Sequence, residues 1–139
     1  MIDTSTEFGQ RAERRLQSEK VCWLTTVTPA GQPKSIPIWF LWQEDGSILF
    51  YSQPDTLKLK NIKHNAKASI NLNSDFYGGD VIRMEGTIEV PSDFPPATGT
   101  PAFIEKYREN LAGMDMSPEA FASEYSVPII LKPERLRGF

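Results

Sequence analysis

The 139-residue sequence predicts a mainly β protein with flanking helices, in which six short strands form a small barrel or sandwich. Short segments rich in β-branched and aromatic residues, such as IPIWFLW and ILFYS, alternate with turns that contain proline or glycine. The chain shows no internal repeat, low-complexity segment or linker, and its length suits one compact unit. We therefore expect residues 1–139 to fold as a single domain.

Strands are predicted over residues 21–27, 34–42, 47–52, 66–74, 80–90 and 126–131, and residues 133–139 follow them as a tail. Pro37 lacks the amide proton that a ladder hydrogen bond needs, so we expect it at a sheet edge or a bulge. Gly86 lies inside the fifth strand and indicates a bulge or a close backbone approach. Phe76 and Tyr77, in the turn before that strand, are expected to be exposed or to lie at a subunit contact.

Helices are predicted over residues 4–20, 56–65 and 102–112, and a fourth begins at Ser117. In the first helix, Phe8, Ala12 and Leu16 recur every four residues and give one apolar stripe. This stripe is expected to pack on the barrel. The arginines of the same helix lie elsewhere on its surface, and we expect them to be solvated.

A strand followed directly by a lysine-rich helix is the strongest candidate for a functional site. The strand ends at Ser52, and Asp55 or Thr56 can cap the helix. The free amides and partial positive charge of a helix N-terminus attract anions, and two hydroxyls and the charge of Lys58 would add to this. Four lysines and no acid lie between residues 56 and 74 of a chain with net charge −3. The residues alone favour a phosphate site and a merely solvated lysine face about equally.

Four motifs occur in a fixed order along the chain. They are PIWF from residue 37, YSQPDTLKLKNI from residue 51, GGDV…EGT between residues 78 and 87, and SVPI…PERLRGF from residue 126. Together they resemble the pyridoxamine 5′-phosphate oxidase-like split-barrel family, and most closely its branch that depends on the deazaflavin coenzyme F420. The resemblance covers about residues 10–139. It implies a six-stranded Greek-key split β-barrel with peripheral helices.

The resemblance also implies nine cofactor-binding residues, which are Pro37, Ile38, Trp39, Tyr51, Ser52, Thr56, Lys58, Lys60 and Asn61. In the family, the positions of Ser52, Thr56 and Lys58 hold the cofactor phosphate, and residues 37–39 lie against the ring. Family members are homodimers with cofactor sites at the subunit interface, so the partner chain should complete each site. Residues 135–139 are expected near it.

Protein-borne catalysis is poorly supported by the residues. Cys22 lies among apolar neighbours in a strand, where a buried inert thiol is the usual outcome. His64, the single histidine, follows Lys63 at a polar helix end and is interpreted as a surface or capping residue. No zinc-protease, P-loop or dinucleotide-binding motif occurs. We predict no catalytic and no metal-ligating residue, so demanding chemistry would belong to a bound cofactor.

The predicted function is that of an oxidoreductase that uses F420, or alternatively FMN, to transfer hydride to or from a small organic substrate. Lys34, Lys60 and Lys63 supply more positive charge than one phosphate requires, and this favours the deazaflavin, whose tail carries additional carboxylates. The alternatives are an FMN-binding pyridoxamine-phosphate-oxidase-like protein, a flavin carrier or storage module without turnover, and an unliganded dimeric scaffold.

Composition restricts the partners and the compartment. A pI of about 5.2 argues against general nucleic-acid binding, and no apolar run is long enough to cross a membrane. One cysteine and the absence of a signal-peptide pattern predict a cytoplasmic protein. The three tryptophans, with Phe76 and Tyr77, exceed what a small core easily buries, which supports a homodimer.

Overall fold

The structure, a computed structural model, describes residues 2–139 as one antiparallel sheet with four α-helices around it. The strands are β1 (Cys22–Val27), β2 (Pro33–Ile38), β3 (Leu41–Trp42), β4 (Ile48–Ser52), β5 (Lys67–Asn71), β6 (Ile82–Glu89) and β7 (Val127–Gly138). Their order is β2-β1-β5-β6-β7-β4-β3. The strands β2 and β3 are consecutive in the chain, yet they lie at opposite edges of the sheet. The sheet therefore curls into a split barrel in which β2 and β3 form one bent strand. The predicted six-stranded barrel is confirmed, with its second strand divided at Trp39 and Phe40.

The helices are α1 (Glu7–Ser18), α2 (Leu57–His64), α3 (Pro101–Gly113) and α4 (Pro118–Glu124), and a 3₁₀ turn at Ala97–Gly99 precedes α3. Thr6 caps α1, since its hydroxyl accepts a hydrogen bond from the Gly9 amide at 3.0 Å. Ala12 and Leu16 are fully buried against the barrel, so the predicted apolar stripe is confirmed. Within residues 2–139, no helix combines the length and apolar character needed to cross a bilayer.

Two arginines of α1 form ion pairs instead of being solvated. Arg11 Nε lies 2.7 Å from Asp80 Oδ1, and Arg15 Nη1 lies 3.2 Å from the same carboxylate oxygen. Arg15 also donates to the backbone carbonyls of Asp80 and Asn73, each at 2.5 Å. The prediction of solvated arginines is wrong for these two residues because the acid comes from a distant turn, which the periodicity of α1 cannot reveal.

Two hydrophobic cores lie on the two faces of the sheet. One fills the barrel and includes Leu24, Phe50 and Met84. The other, which includes Leu49 and Tyr107, lies between the outer face of β4 and β7 and the helices α3 and α4. All five residues of β4 are buried because each of its faces meets one core. Along β6, by contrast, buried and more exposed residues alternate, so the outer face of the sheet is open there.

Gly86 lies at a β-bulge, as predicted. The register of β6 against β7 shifts between Glu85 and Gly86, where Pro133 is the partner of Gly86. A Cβ atom on Gly86 would come within 2.1 Å of the Lys132 carbonyl oxygen, so this close approach requires glycine.

The predicted end of the last strand at residue 131 is wrong, because β7 continues to Gly138. Pro133 falls at the bulge, where its missing amide proton interrupts no regular ladder.

Candidate functional site

A pocket of about 720 Å³ opens between β2, α2 and α4. Its volume is in the range of small-molecule and cofactor sites. The wall formed by β2 runs along a terminal strand of the sheet, so Pro37 lies on an edge strand, as predicted. Two lining side chains, Lys34 and Lys58, are basic, and none of the lining residues is acidic. The pocket therefore suits an anionic ligand.

The first turn of α2 contributes a positive end to the pocket. Thr56 is the N-cap residue, but its side chain makes no capping hydrogen bond, and the Lys60 amide is bonded to the Thr56 carbonyl at 3.2 Å. The preceding amides of the helix remain available to a ligand. Lys58 is half-buried beside them, and burial lowers the pKa of its ammonium group. We call Thr56, Lys58 and Asn61 the α2 end of the pocket.

Ser52 lies behind the α2 end and does not line the pocket. It is fully buried, and its hydroxyl donates to the Gln53 carbonyl at 2.7 Å while lying 3.1 Å from the Thr56 hydroxyl. Because Ser52 has a single hydroxyl proton, Thr56 must be the donor in the second contact. Ser52 therefore fixes the Thr56 side chain from behind.

Asn61 and Thr26 form a buried polar pair in the pocket lining. Asn61 is 1% exposed, and its Nδ2 donates to Thr26 Oγ1 at 3.2 Å. Asn61 Oδ1 has no hydrogen-bond partner within residues 2–139. A buried carbonyl oxygen without a donor is costly, so unsatisfied groups of this kind call for an explanation. Asn61 Oδ1 is a candidate acceptor for a hydroxyl or N–H group of a ligand.

Near-parallel aromatic rings form another part of the lining. Trp39, in the gap between β2 and β3, stacks on Phe121 of α4 with ring centroids 5.5 Å apart and planes 14° apart. Phe121 stacks in turn on Tyr125, at 4.7 Å and 17°. We call Trp39, Phe121 and Tyr125 the aromatic wall. Its flat, largely apolar surface suits a planar ligand.

Tyr51 lines the pocket, but its hydroxyl serves the loop before α3. The hydroxyl donates to the Pro95 carbonyl at 3.0 Å and lies 2.8 Å from the Thr100 hydroxyl. Burial raises the pKa of Tyr51, although the hydrogen bond with Thr100 opposes this shift. Tyr51 therefore anchors the loop and is not a free proton donor.

The structure brings seven of the nine predicted cofactor residues into one pocket lining: Pro37, Ile38, Trp39, Tyr51, Thr56, Lys58 and Asn61. Of the other two, Ser52 lies behind Thr56, and Lys60 is exposed on α2 outside the lining. Residues 135–138 belong to β7 and pair with β6, and Phe139 pairs with Val81 just before β6. None of these residues lines the pocket. Sequence reasoning missed Thr26, Phe121 and Tyr125. The spacing of the two aromatics marks one face of a helix but gives no signal of a pocket.

Neither of the reactive side chains considered from sequence lines the pocket. Cys22 is fully buried in the barrel core, where burial raises the pKa of its thiol to about 12. His64 is exposed at the end of α2. Among residues 2–139, no group of three or more His, Cys, Asp or Glu side chains could hold a metal ion. The pocket can bind and orient a ligand, and its described lining offers no nucleophile paired with a base.

Comparisons with known proteins agree with this architecture. The family model for pyridoxamine 5′-phosphate oxidase matches residues 8–137. A solved F420 reductase is 21% identical with a TM-score of 0.67, over 90% of this chain and 94% of that one. An FAD-binding protein from Mesorhizobium loti is 15% identical with a TM-score of 0.65, over 91% of this chain and 90% of that one. A heme storage protein from Vibrio cholerae is 14% identical with a TM-score of 0.69, over 96% of this chain and 95% of that one. At these identities the structures share the fold and show nothing finer. Comparison with curated protein sequences gave no match.

Proposed function

Because this chain belongs to the pyridoxamine 5′-phosphate oxidase family, we propose that it is an oxidoreductase that binds the deazaflavin coenzyme F420, or alternatively FMN, in the pocket beside α2. When bound, the cofactor supplies the hydride donor or acceptor for a small organic substrate. One observation carries the proposal: an acid-free, lysine-bearing helix N-terminus shares a pocket with a flat aromatic wall. A tricyclic ring with a phosphate-bearing tail has both complementary features.

The α2 end would hold the cofactor phosphate. The free amides of the first helical turn and the half-buried ammonium group of Lys58 supply positive charge without a competing acid in the lining. Thr56 donates its one hydroxyl proton to Ser52, so this hydroxyl would have to rotate away from Ser52 in order to donate to the phosphate. Lys60 is exposed beside this end and would act through its charge.

Asn61 would bind a different part of the cofactor. One proton of its Nδ2 goes to Thr26, and its Oδ1, an acceptor, has no hydrogen-bond partner within residues 2–139. An acceptor repels a phosphate oxygen but accepts a hydrogen bond from a hydroxyl. We assign Asn61 Oδ1 to a hydroxyl of the polyol chain that both candidate cofactors carry between ring and phosphate.

Residues 37–39 and the aromatic wall would hold the ring. Pro37 and Ile38 line the pocket from the edge strand, and Trp39 lies next to them in the β2–β3 gap. Their role is to orient the ring and exclude water from one part of the pocket. Tyr51, whose hydroxyl is bonded to the loop before α3, would keep the neighbouring wall in place.

Positive charge around the α2 end favours F420 over FMN. Lys34 lines the pocket, and Lys60 and Lys63 are exposed on the same helix as Lys58. The deazaflavin tail continues past its phosphate into carboxylate-bearing groups, which this charge can attract. The FMN tail ends at the phosphate.

The test is a titration of the cofactor-free protein with F420 and with FMN at two salt concentrations. F420 should bind more tightly, and its affinity should fall more steeply with salt because more exposed charge pairs are screened. Tighter binding of FMN, or a yellow FMN-loaded protein from the expression host, would reverse the choice of cofactor. Binding of neither cofactor would contradict the proposed function itself.

A flavin carrier or storage module is the alternative, because holding a cofactor without turnover needs only the pocket lining described above. Steady-state turnover with a reductant and a set of organic acceptors distinguishes the two. A heme-storage role has less support, since the lining residues include no histidine or cysteine to ligate iron. A Soret band in the purified protein would reverse that order.

We also propose a cytoplasmic homodimer with its cofactor sites at the subunit interface. The outer face of β1, β5 and β6 lacks the helical cover that β4 and β7 have, and Trp23 on this face is 37% exposed. Phe76 and Tyr77 are fully exposed in the β5–β6 turn. Surfaces of this kind usually mark an interface. Light scattering should therefore give the mass of two chains, and a stable monomer at micromolar concentration would contradict the dimer.

A further inference from the structure

The break between β2 and β3 puts Trp39 in the pocket lining, and its neighbour Phe40 is held from α3. Since β2 ends at Ile38 and β3 begins at Leu41, strand pairing does not fix these two residues. Instead, the Phe40 amide donates to the Tyr107 hydroxyl at 2.6 Å, and the one proton of that hydroxyl is shared between the carbonyl oxygens of Phe40, at 2.7 Å, and Lys20, at 2.9 Å. Tyr107 thus occupies the place that a neighbouring strand would have along this segment.

Tyr107 also contacts Trp39 directly. The two rings stack with centroids 4.7 Å apart and planes 3° apart. Tyr107 itself is fully buried between α3 and the sheet and is not part of the pocket lining. One buried side chain therefore holds both the ring of Trp39 and the peptide that follows it.

Lys106 strengthens the same attachment. Its Nζ donates to the Phe40 carbonyl at 2.7 Å and lies 3.8 Å from the centroid of the Phe40 ring. The first contact is a hydrogen bond from a charged donor, and the second is a cation–π contact. Two consecutive residues of α3 thus converge on one residue of the β2–β3 gap.

We propose that Tyr107 is a positioning residue that sets the place of Trp39 in the aromatic wall. The consequence of this for ligand binding rests on the proposed cofactor function. Without the hydroxyl, the buried Phe40 amide would lose its acceptor, which is costly. A shift of the short segment 39–40 would relieve this cost and carry the Trp39 ring with it. Binding of a planar ring at the wall should weaken. Anion binding at the α2 end, which Tyr107 does not touch, should persist.

The test compares Tyr107→Phe, which removes the hydroxyl and keeps the ring, with a matched control. Ser47→Ala also removes a buried hydroxyl, which is bonded to Asp45 and Gln43 in the β3–β4 turn away from Trp39. Both changes are made in a protein whose only tryptophan is Trp39, obtained with Trp23→Phe and Trp42→Phe. Fluorescence then reports on Trp39 alone.

Without any cofactor, acrylamide should quench Trp39 more efficiently in Tyr107→Phe than in the parent, and equally in Ser47→Ala and the parent. Titration with F420 or FMN should show an affinity lower by roughly three- to tenfold in Tyr107→Phe, the effect of one neutral hydrogen bond. Inorganic phosphate should compete for the α2 end as well as it does in the parent.

Unchanged quenching in Tyr107→Phe would overturn the inference, whether or not a cofactor binds. A wild-type protein that binds neither cofactor would overturn the proposed function, while the quenching result would still decide the role of Tyr107. An equal loss of phosphate competition would show that the whole pocket loosens, which also contradicts positioning. If Tyr107→Phe does not fold in buffer, all the proteins are compared in an osmolyte such as trimethylamine N-oxide, which favours the compact state, and unchanged quenching of Trp39 there would overturn the inference.

Discussion

The α2 end of the pocket is built from one short segment of chain, whereas the aromatic wall is assembled from distant ones. Thr56, Lys58 and Asn61 lie within two turns of one helix. Trp39 follows β2, while its stacking partner Phe121 belongs to α4 near the other end of the chain. Local structure alone can therefore produce the first region, but only the complete fold produces the second.

The two regions also differ in their connection to the hydrophobic core. Phe121 is 5% exposed and packs in the core between α3, α4 and the sheet, and Trp39 packs against the same core. Lys58 is half-buried at the pocket surface, with no ion-pair partner within residues 2–139. Substitutions in the wall should therefore reduce folding stability and ring binding together. Substitution of Lys58 should change binding alone.

The largest expected effect is that of Phe121→Ala. It removes a buried aromatic ring that stacks on Trp39, Tyr125 and Phe103, and truncation of a buried phenylalanine typically costs about 3 to 5 kcal/mol of unfolding free energy. Urea denaturation measures the loss. The control is Phe76→Ala, since Phe76 is fully exposed and its truncation should change stability by no more than about 0.5 kcal/mol. Similar losses in the two variants would contradict a structural role of the wall.

The next effect is that of Lys58→Ala, which removes the half-buried charge at the α2 end. Cofactor affinity should fall by about 1.5 to 3 kcal/mol, the range for a hydrogen bond to a charged group. Isothermal titration measures this, and the denaturation midpoint should stay close to that of the wild type. Lys67→Ala is the matched control, because Lys67 is exposed on β5 and does not line the pocket. Equal losses at both positions would indicate a diffuse basic surface.

The same difference explains what sequence alone could predict. The strand, the hydroxyl of Ser52 and the helix follow one another directly in the chain. The sequence could therefore predict the α2 end from the anion affinity of a helix N-terminus and from the motif. The resemblance supplied residues 37–39 because they also form a continuous motif. Phe121 and Tyr125 gave no such signal, since Trp39, the stacking partner of Phe121, lies in another part of the chain.

Prediction of the fold was limited in the same way, to features that neighbouring residues in the chain decide. All six predicted strands occur, because alternation and turn residues are local signals. The extension of β7 past Pro133 depends on its pairing with the bulge at Gly86 in β6, and the ion pairs of Arg11 and Arg15 depend on Asp80. Each error concerned a residue whose structure is decided by a distant partner.

The smallest expected effect is the pH dependence of anion binding at the α2 end. Burial lowers the pKa of Lys58, so its ammonium group loses its proton at a lower pH than that of a solvated lysine. Affinity for the cofactor phosphate should be full below this lowered pKa and should fall as the pH rises through it. The fall cannot exceed the loss caused by Lys58→Ala.

Lys58→Arg tests the sign of this effect, because a guanidinium group stays protonated throughout the accessible range. The other ionisable groups in the pocket lining are Lys34, Tyr51 and Tyr125, and they are the same in both proteins. The ratio of wild-type to variant affinity therefore isolates Lys58. This ratio should decrease from about pH 7 to about pH 10, a range that ends near the pKa of a free lysine. A constant ratio would mean that the charge of Lys58 does not contact the anion, and the phosphate would then have to be held by the helix amides.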